Sequence, residues 1–127
     1  MNIKEIPLII NGEKVRSTTN EWLDVLNPAT QEVVARVPMA TAEEVNAAVN
    51  SAQVAFKSWS KVSLTNRMRV MVAFAHLVRE NTKELAELVT LEHGKTLPDA
   101  EGEVGRALEA IENACSITRL QLGEMGN

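Results

Sequence analysis

The apolar residues of this sequence change period at Thr41, and that change limits the chain to a mixed α and β architecture. Before it, short runs alternate and are punctuated by turn residues. Leu8, Ile9 and Ile10 lead into Asn11-Gly12, the strongest short-range hairpin signal, and Lys14 and Val15 begin the return strand. Ser17 to Asn20 is a polar break. Trp22 to Leu26 then alternates around Asp24, Asn27-Pro28-Ala29-Thr30 makes a turn, and Val33 to Val37 forms the partner strand. Two hairpins are marginal alone, so a further surface must cover them.

After Thr41 the period becomes helical. Thr41-Ala42-Glu43-Glu44 is a capping box, and Val45, Ala48, Val49, Ala52, Phe56 and Trp59 define one face of a first helix. Ser63 is the expected cap of a second helix, Leu64 to Glu80. Its apolar residues, from Leu64 through Met68, Val70, Val72 and Phe74 to Val78, cover more than half of the helical circumference. A surface helix needs a narrower stripe, so this one is expected to have partners on more than one side. Asn81-Thr82-Lys83-Glu84 reads as another capping box, opening a third helix through Leu85, Leu88 and Leu91.

Leu91 to Ser116 is the most informative stretch. Gly94 stands where a left-handed residue stops a helix, and Thr96 is placed to cap a new one, with Pro98 and Asp99 in its first turn. From Leu97 the stripe runs through Val104, Leu108, Ile111, Cys115 and Leu122. The expectation is an α+β fragment, two N-terminal β-hairpins (residues 1–40) followed by four α-helices (residues 41–122). The broad apolar arc of the second helix and the Gly123 to Asn127 ending suggest a piece of something larger.

With 127 residues, the chain suits one modest domain. A net charge of -4 argues against nucleic acid or an anionic membrane as partner. One cysteine cannot form an internal disulfide, and the first ten residues have no signal-peptide pattern, so a cytoplasmic location is expected. Aromatic content of 3%, without tyrosine, disfavours a base-stacking or sugar-binding platform.

The candidate reactive groups are few. Cys115 falls on the apolar stripe, several turns from the helix start, and reads as a small buried hydrophobe with no catalytic role. His76 lies on the polar arc of the second helix near Glu80, and His93 lies in the last turn of the third. Glu80 at i+4 is the one carboxylate at helical spacing, and a single such pair is no ligand pattern, which rejects a metal site. Glu101, on the stripe but near the helix start, is expected to cap backbone donors. Gly94-Lys95-Thr96 lacks the upstream glycine and strand of a phosphate loop. Arg106 lies opposite the stripe with Ala110, Asn113 and Ile117, where a guanidinium could hold a carboxylate in bidentate fashion. Spacing alone favours the plainer alternative, a surface pair with Glu103 or Glu109.

Set in order, these pieces resemble the amino-terminal segment of the aldehyde dehydrogenase superfamily. The matching residues are Ile10-Asn11-Gly12-Glu13, Val25-Leu26-Asn27-Pro28-Ala29-Thr30, Val37-Pro38 and Ala55-Phe56-Lys57-Ser58-Trp59. They continue with Asn66-Arg67-Met68-Arg69, Leu91-Glu92-His93-Gly94-Lys95-Thr96-Leu97 and Ala100-Glu101-Gly102-Glu103-Val104. Glu103-Val104-Gly105-Arg106, Glu109, Glu112-Asn113-Ala114-Cys115 and Leu122-Gly123-Glu124 are most similar to the methylmalonate-semialdehyde branch.

The resemblance implies an α/β NAD-binding domain of which this is the first part, NAD as cofactor and CoA as co-substrate. It also implies a small semialdehyde substrate, a cysteine thioester intermediate and a homo-oligomer. It reverses the odds on Arg106, which matches an arginine implicated in holding the substrate carboxylate. The nucleophile, its asparagine oxyanion partner and the nucleotide loop fall downstream of Asn127 in the family pattern, so the 127 residues alone are expected to be inactive. The alternatives are a stand-alone helical interaction module and a dehydrogenase branch for uncharged aldehydes.

Overall fold

A computed structural model describes residues 3–117. Among these residues the elements run β1 (Lys4–Glu5), β2 (Leu8–Ile10), β3 (Glu13–Val15), β4 (Trp22–Leu26), β5 (Val33–Pro38), α1 (Ala42–Trp59), α2 (Leu64–Glu80), α3 (Thr82–His93) and α4 (Leu97–Ala114). This is the expected α+β order, and the chain divides into two compact units.

The first unit holds the described residues up to Lys61, with Leu91–Gly94. β2 and β3 are antiparallel, joined through Asn11 at φ 55° and Gly12 at φ 76°. Two consecutive positive φ values make the turn whose twist matches that of its strands, which is why Asn-Gly stands there. β4 and β5 pair antiparallel from Trp22 opposite Pro38 to Leu26 opposite Val33, with an irregularity between Val25 and Leu26. Arg36 Nε donates to Asp24 Oδ1 at 2.7 Å, directly across that ladder. β1 was not expected; it adds parallel to β5, so the sheet order is β1-β5-β4. Two residues carry too little pattern to announce a strand; the open edge of β5 recruits them, and Ile6 N extends the pairing to Arg36 O at 2.8 Å.

Glu44 ties the loop after β3 to the start of α1. Thr41 and Glu44 form the expected capping box, Glu44 N donating to Thr41 Oγ1 at 3.3 Å and Thr41 N to Glu44 Oε2 at 2.9 Å. The same carboxylate accepts from Ser17 Oγ at 2.8 Å and from Thr18 N at 2.7 Å. Ser17 is the buried polar residue among the described residues of this unit, and Glu44 satisfies it. The Thr18 and Thr41 amides hold the Glu44 carboxyl below its ordinary 4.5. A depressed folded value means stability that is present above the ordinary value and lost as pH falls through the folded one. Replacing Glu44 with glutamine is therefore expected to shallow the acid limb of the stability profile, read as denaturation midpoints between about pH 7 and pH 3. An unchanged slope would detach the loop from this role.

The second unit holds Val62–Thr90 and the described residues from Lys95 onward. Ser63 caps α2 by accepting from Asn66 N. Asn81 behaves differently from expectation. Its side chain donates back to Leu77 O at 2.8 Å, closing α2, while Thr82 Oγ1 donates to Arg79 O at 2.9 Å. The two helices follow so closely that these side chains satisfy the carbonyls ending α2 instead of forming a capping box for α3.

Ala86 and Ala100 are fully buried, Val104 is nearly so, and Val78, Leu85 and Val89 pack around them. Alanines at the centre of this cluster keep it thin, and α2 and α4 are the helices of this unit that pack extensively together. Larger side chains stay outside: Val70, Val72, Phe74 and Leu77 of α2 are about half exposed or more, as are Val45, Val49 and Phe56 of α1. The wide apolar arc of α2 thus has partners along one part and open surface along another.

α4 ends earlier than its stripe predicts. Cys115 N bonds to both Ile111 O and Glu112 O, Ser116 N bonds to Asn113 O, and Ser116 Oγ takes the same carbonyl at 2.6 Å. Short-range bonds of this kind are common at a helix C-terminus, and Cys115 is the C-cap. The expected extension to Leu122 lies outside the described residues.

Candidate functional site

Helix α3 stops at His93, and Gly94 takes φ 79°, the left-handed stop the sequence implied. Thr96 opens α4, its Oγ1 accepting from Asp99 N, with Pro98 and Asp99 in the first turn. Glu101, expected to cap, is exposed, and the cap is already supplied by Thr96.

Two turns into α4, three charged groups meet on one oxygen. Lys95 Nζ donates to Glu103 Oε1 at 2.8 Å and Arg106 Nη2 donates to the same atom at 2.7 Å. Lys95 is largely covered, its side chain 20% exposed, whereas that of Arg106 is 67% exposed. The guanidinium leans back over the preceding turn, Nη1 lying 4.0 Å from where a Cβ on Gly102 would stand. Hydrogen bonds from Lys95 and then Arg106, reinforced by their charges, hold the Glu103 carboxyl below its ordinary 4.5. Arg106 thus has the ion pair that spacing favoured, and that bond engages one of its five donors. Lys95 was not foreseen. It precedes the helix cap, so helical spacing does not connect it to a residue eight positions on.

The other candidates lack such convergence. His76 is exposed and 3.3 Å from Glu80. His93 is exposed at the end of α3. Cys115 is half-buried, sits at the C-terminal end of α4 and donates its thiol to Ile111 O at 3.3 Å. It borders a cavity of about 380 Å³ with His76, Arg79 and Glu112, the last two joined as an ion pair. A groove of about 270 Å³ between β2 and α1 is lined by Leu8, Ile10, Val45 and Val49, and its carboxylate, Glu44, is already engaged. Among the described residues no cluster of three or more His, Cys, Asp or Glu could hold a metal ion, and no helix is long and apolar enough to cross a membrane.

A dinucleotide needs free backbone donors at a helix start behind a glycine loop. Here α1, α2 and α4 begin under their own Thr41, Ser63 and Thr96 caps, and α4 adds the Asp99 carboxylate, which would repel a pyrophosphate. These residues do not fit such a cofactor, and its chemistry is not assigned to them.

The aldehyde dehydrogenase family profile matches residues 14–126. The methylmalonate-semialdehyde/malonate-semialdehyde dehydrogenase [acylating] of Mus musculus, named as mitochondrial, is 48% identical over 123 residues, covering 97% of this chain and 23% of that protein. Among solved structures, one from Sinorhizobium meliloti 1021, described as a methylmalonate-semialdehyde dehydrogenase complexed with NAD, superposes with a TM-score of 0.91 at 37% identity, covering 98% of this chain and 26% of that one. The methylmalonate-semialdehyde dehydrogenase of Oceanimonas doudoroffii superposes at 0.87 with 35% identity, covering 93% of this chain and 24% of that one. The chain therefore spans about a quarter of the length of the relatives it matches. A match over nearly the whole chain, in sequence and in fold, places this protein in the aldehyde dehydrogenase family.

Proposed function

We propose that these residues form the amino-terminal part of the NAD-binding domain of an NAD-dependent, CoA-acylating dehydrogenase of methylmalonate and malonate semialdehyde. In that enzyme Arg106 would hold the substrate carboxylate. The observation that carries the reading is the exposed Arg106 guanidinium, fixed at one nitrogen by Glu103 and with further donors available to an acceptor. The open apolar faces of α1 and α2 support it, because a protein of the relatives' length has the additional chain to cover them.

The thioester-forming cysteine, the nucleotide site and the CoA site are assigned to the other three quarters of such an enzyme, as is the surface that builds a homo-oligomer. Cys115, with its thiol donated to a backbone carbonyl, is not the nucleophile. The 127-residue chain alone is proposed to be inactive, and a single cysteine suits a reducing compartment such as the cytoplasm.

Product analysis tests the reaction class. The full-length dehydrogenase carrying this segment, given methylmalonate semialdehyde, NAD and CoA, is expected to form NADH and an acyl-CoA thioester. Free carboxylic acid as the sole product would overturn the acylating assignment. NADH formation by the 127 residues alone would overturn their proposed inactivity.

A further inference from the structure

We infer that Lys95 is a positioning residue for carboxylate recognition, cancelling the charge of Glu103 so that Arg106, although tethered to that glutamate, still presents a positive charge to the substrate. The inference rests on the substrate-binding role proposed for Arg106 and extends it.

An arginine paired with one carboxylate is close to neutral from outside. An incoming substrate carboxylate would meet Glu103 as a competitor for the guanidinium and as a like charge. Here two cations converge on Glu103 Oε1, at 2.8 Å from Lys95 and 2.7 Å from Arg106, so two positive charges and one negative leave one positive. The division of exposure gives each cation its task. Lys95, 20% exposed, is the less screened partner and stays with Glu103. Arg106, 67% exposed, keeps donors that Glu103 does not engage. The backbone supports this division. Lys95 lies in the link between α3 and α4, just before the Thr96 cap, so its long stem reaches Glu103 from outside the helix, while Arg106 reaches the same oxygen from one turn further along α4. The depressed titration of the Glu103 carboxyl, caused first by Lys95 and then by Arg106, agrees with a carboxylate held charged by both.

The experiment uses the full-length dehydrogenase and compares kcat/KM for methylmalonate semialdehyde with kcat/KM for propanal. Lys95→Gln keeps a donor for Glu103 and removes the charge. It is expected to lower the ratio about tenfold, mainly through the KM of the carboxylated aldehyde. Combining Lys95→Gln with Glu103→Gln returns the cluster to one positive charge and should recover most of the ratio, and Lys95→Arg should hold it. A purely structural lysine would change both aldehydes together and would not be rescued by removing its partner; that result overturns the inference.

A ratio unchanged by Lys95→Gln but collapsed by Arg106→Ala also overturns it, while leaving the Arg106 reading intact. A ratio unchanged by Arg106→Ala removes the underlying reading itself. Where Lys95→Gln does not fold, Glu103→Gln alone decides. It leaves two positive charges, so the ratio must rise at low salt, and a fall overturns the inference.

Discussion

Gly94→Ala is expected to destabilise the chain by about 2–5 kcal/mol, well beyond an ordinary turn substitution. Two penalties add. The left-handed φ of 79° brings a Cβ close to the following carbonyl, a cost of roughly 1–2 kcal/mol for a residue other than glycine. The new Cβ would also stand 2.9 Å from Pro28 Cγ and 3.3 Å from Ala29 N. A proline ring and a backbone amide yield little, so overpacking adds about 1–3 kcal/mol. Gly12 separates the two terms, because it has φ 76° and nothing within 4 Å of its Cβ position. Denaturant unfolding of Gly12→Ala should show the conformational term alone, roughly 1–2 kcal/mol. Pro28→Ala in the Gly94→Ala background should recover part of the loss. Equal destabilisation by the two glycine variants would mean that the approach of Gly94 to the Asn27–Thr30 turn costs nothing.

The second large effect concerns specificity. In the full-length dehydrogenase, Arg106→Ala is expected to reduce kcat/KM for methylmalonate semialdehyde by about 10²–10⁴, since two charge-assisted hydrogen bonds of roughly 1.5–3 kcal/mol each would be lost. Propanal, which has no carboxylate, should lose no more than about threefold. Arg106→Lys keeps the charge but gives up the planar fork, and should fall between the wild type and the alanine variant. Similar losses on both aldehydes would remove the carboxylate-binding role and favour a branch acting on uncharged aldehydes.

Much of the fold was legible because its signals are local. The Asn11-Gly12 turn, the Thr41–Glu44 capping box, the Ser63 and Thr96 caps and the Gly94 stop each act within a few residues, and each stands where its spacing implied. Helix α2 begins at Leu64 and ends at Glu80 as read. The misreadings share the opposite character. Asn81 carries the residue type of a cap, but the carbonyls of the preceding helix claim its side chain first. Glu101 lies near the helix start, but Thr96 has already supplied the cap. Cys115 sits on the stripe, yet Ser116 and the last carbonyls of α4 end the helix at Ala114.

For the candidate site, Arg106 and its partner Glu103 were visible as neighbours three residues apart on one helix. That Glu103 is shared with Lys95 was not, nor that Glu44 reaches back to Ser17 and Thr18.

By itself the sequence determined where the period changes, where each helix is capped and stopped, which hairpin turns form, and that α2 carries more apolar surface than one neighbour can cover. These properties depend on local sterics and on side-chain spacing, which are written in consecutive residues. Only the tertiary structure decided that Lys4–Glu5 joins β5 in parallel, that alanines form the fully buried contacts, and that Lys95, Glu103 and Arg106 meet at one oxygen. Each of those outcomes depends on which unpaired edge, gap or charge a distant segment reaches once the chain has turned, and spacing along the chain does not record that distance.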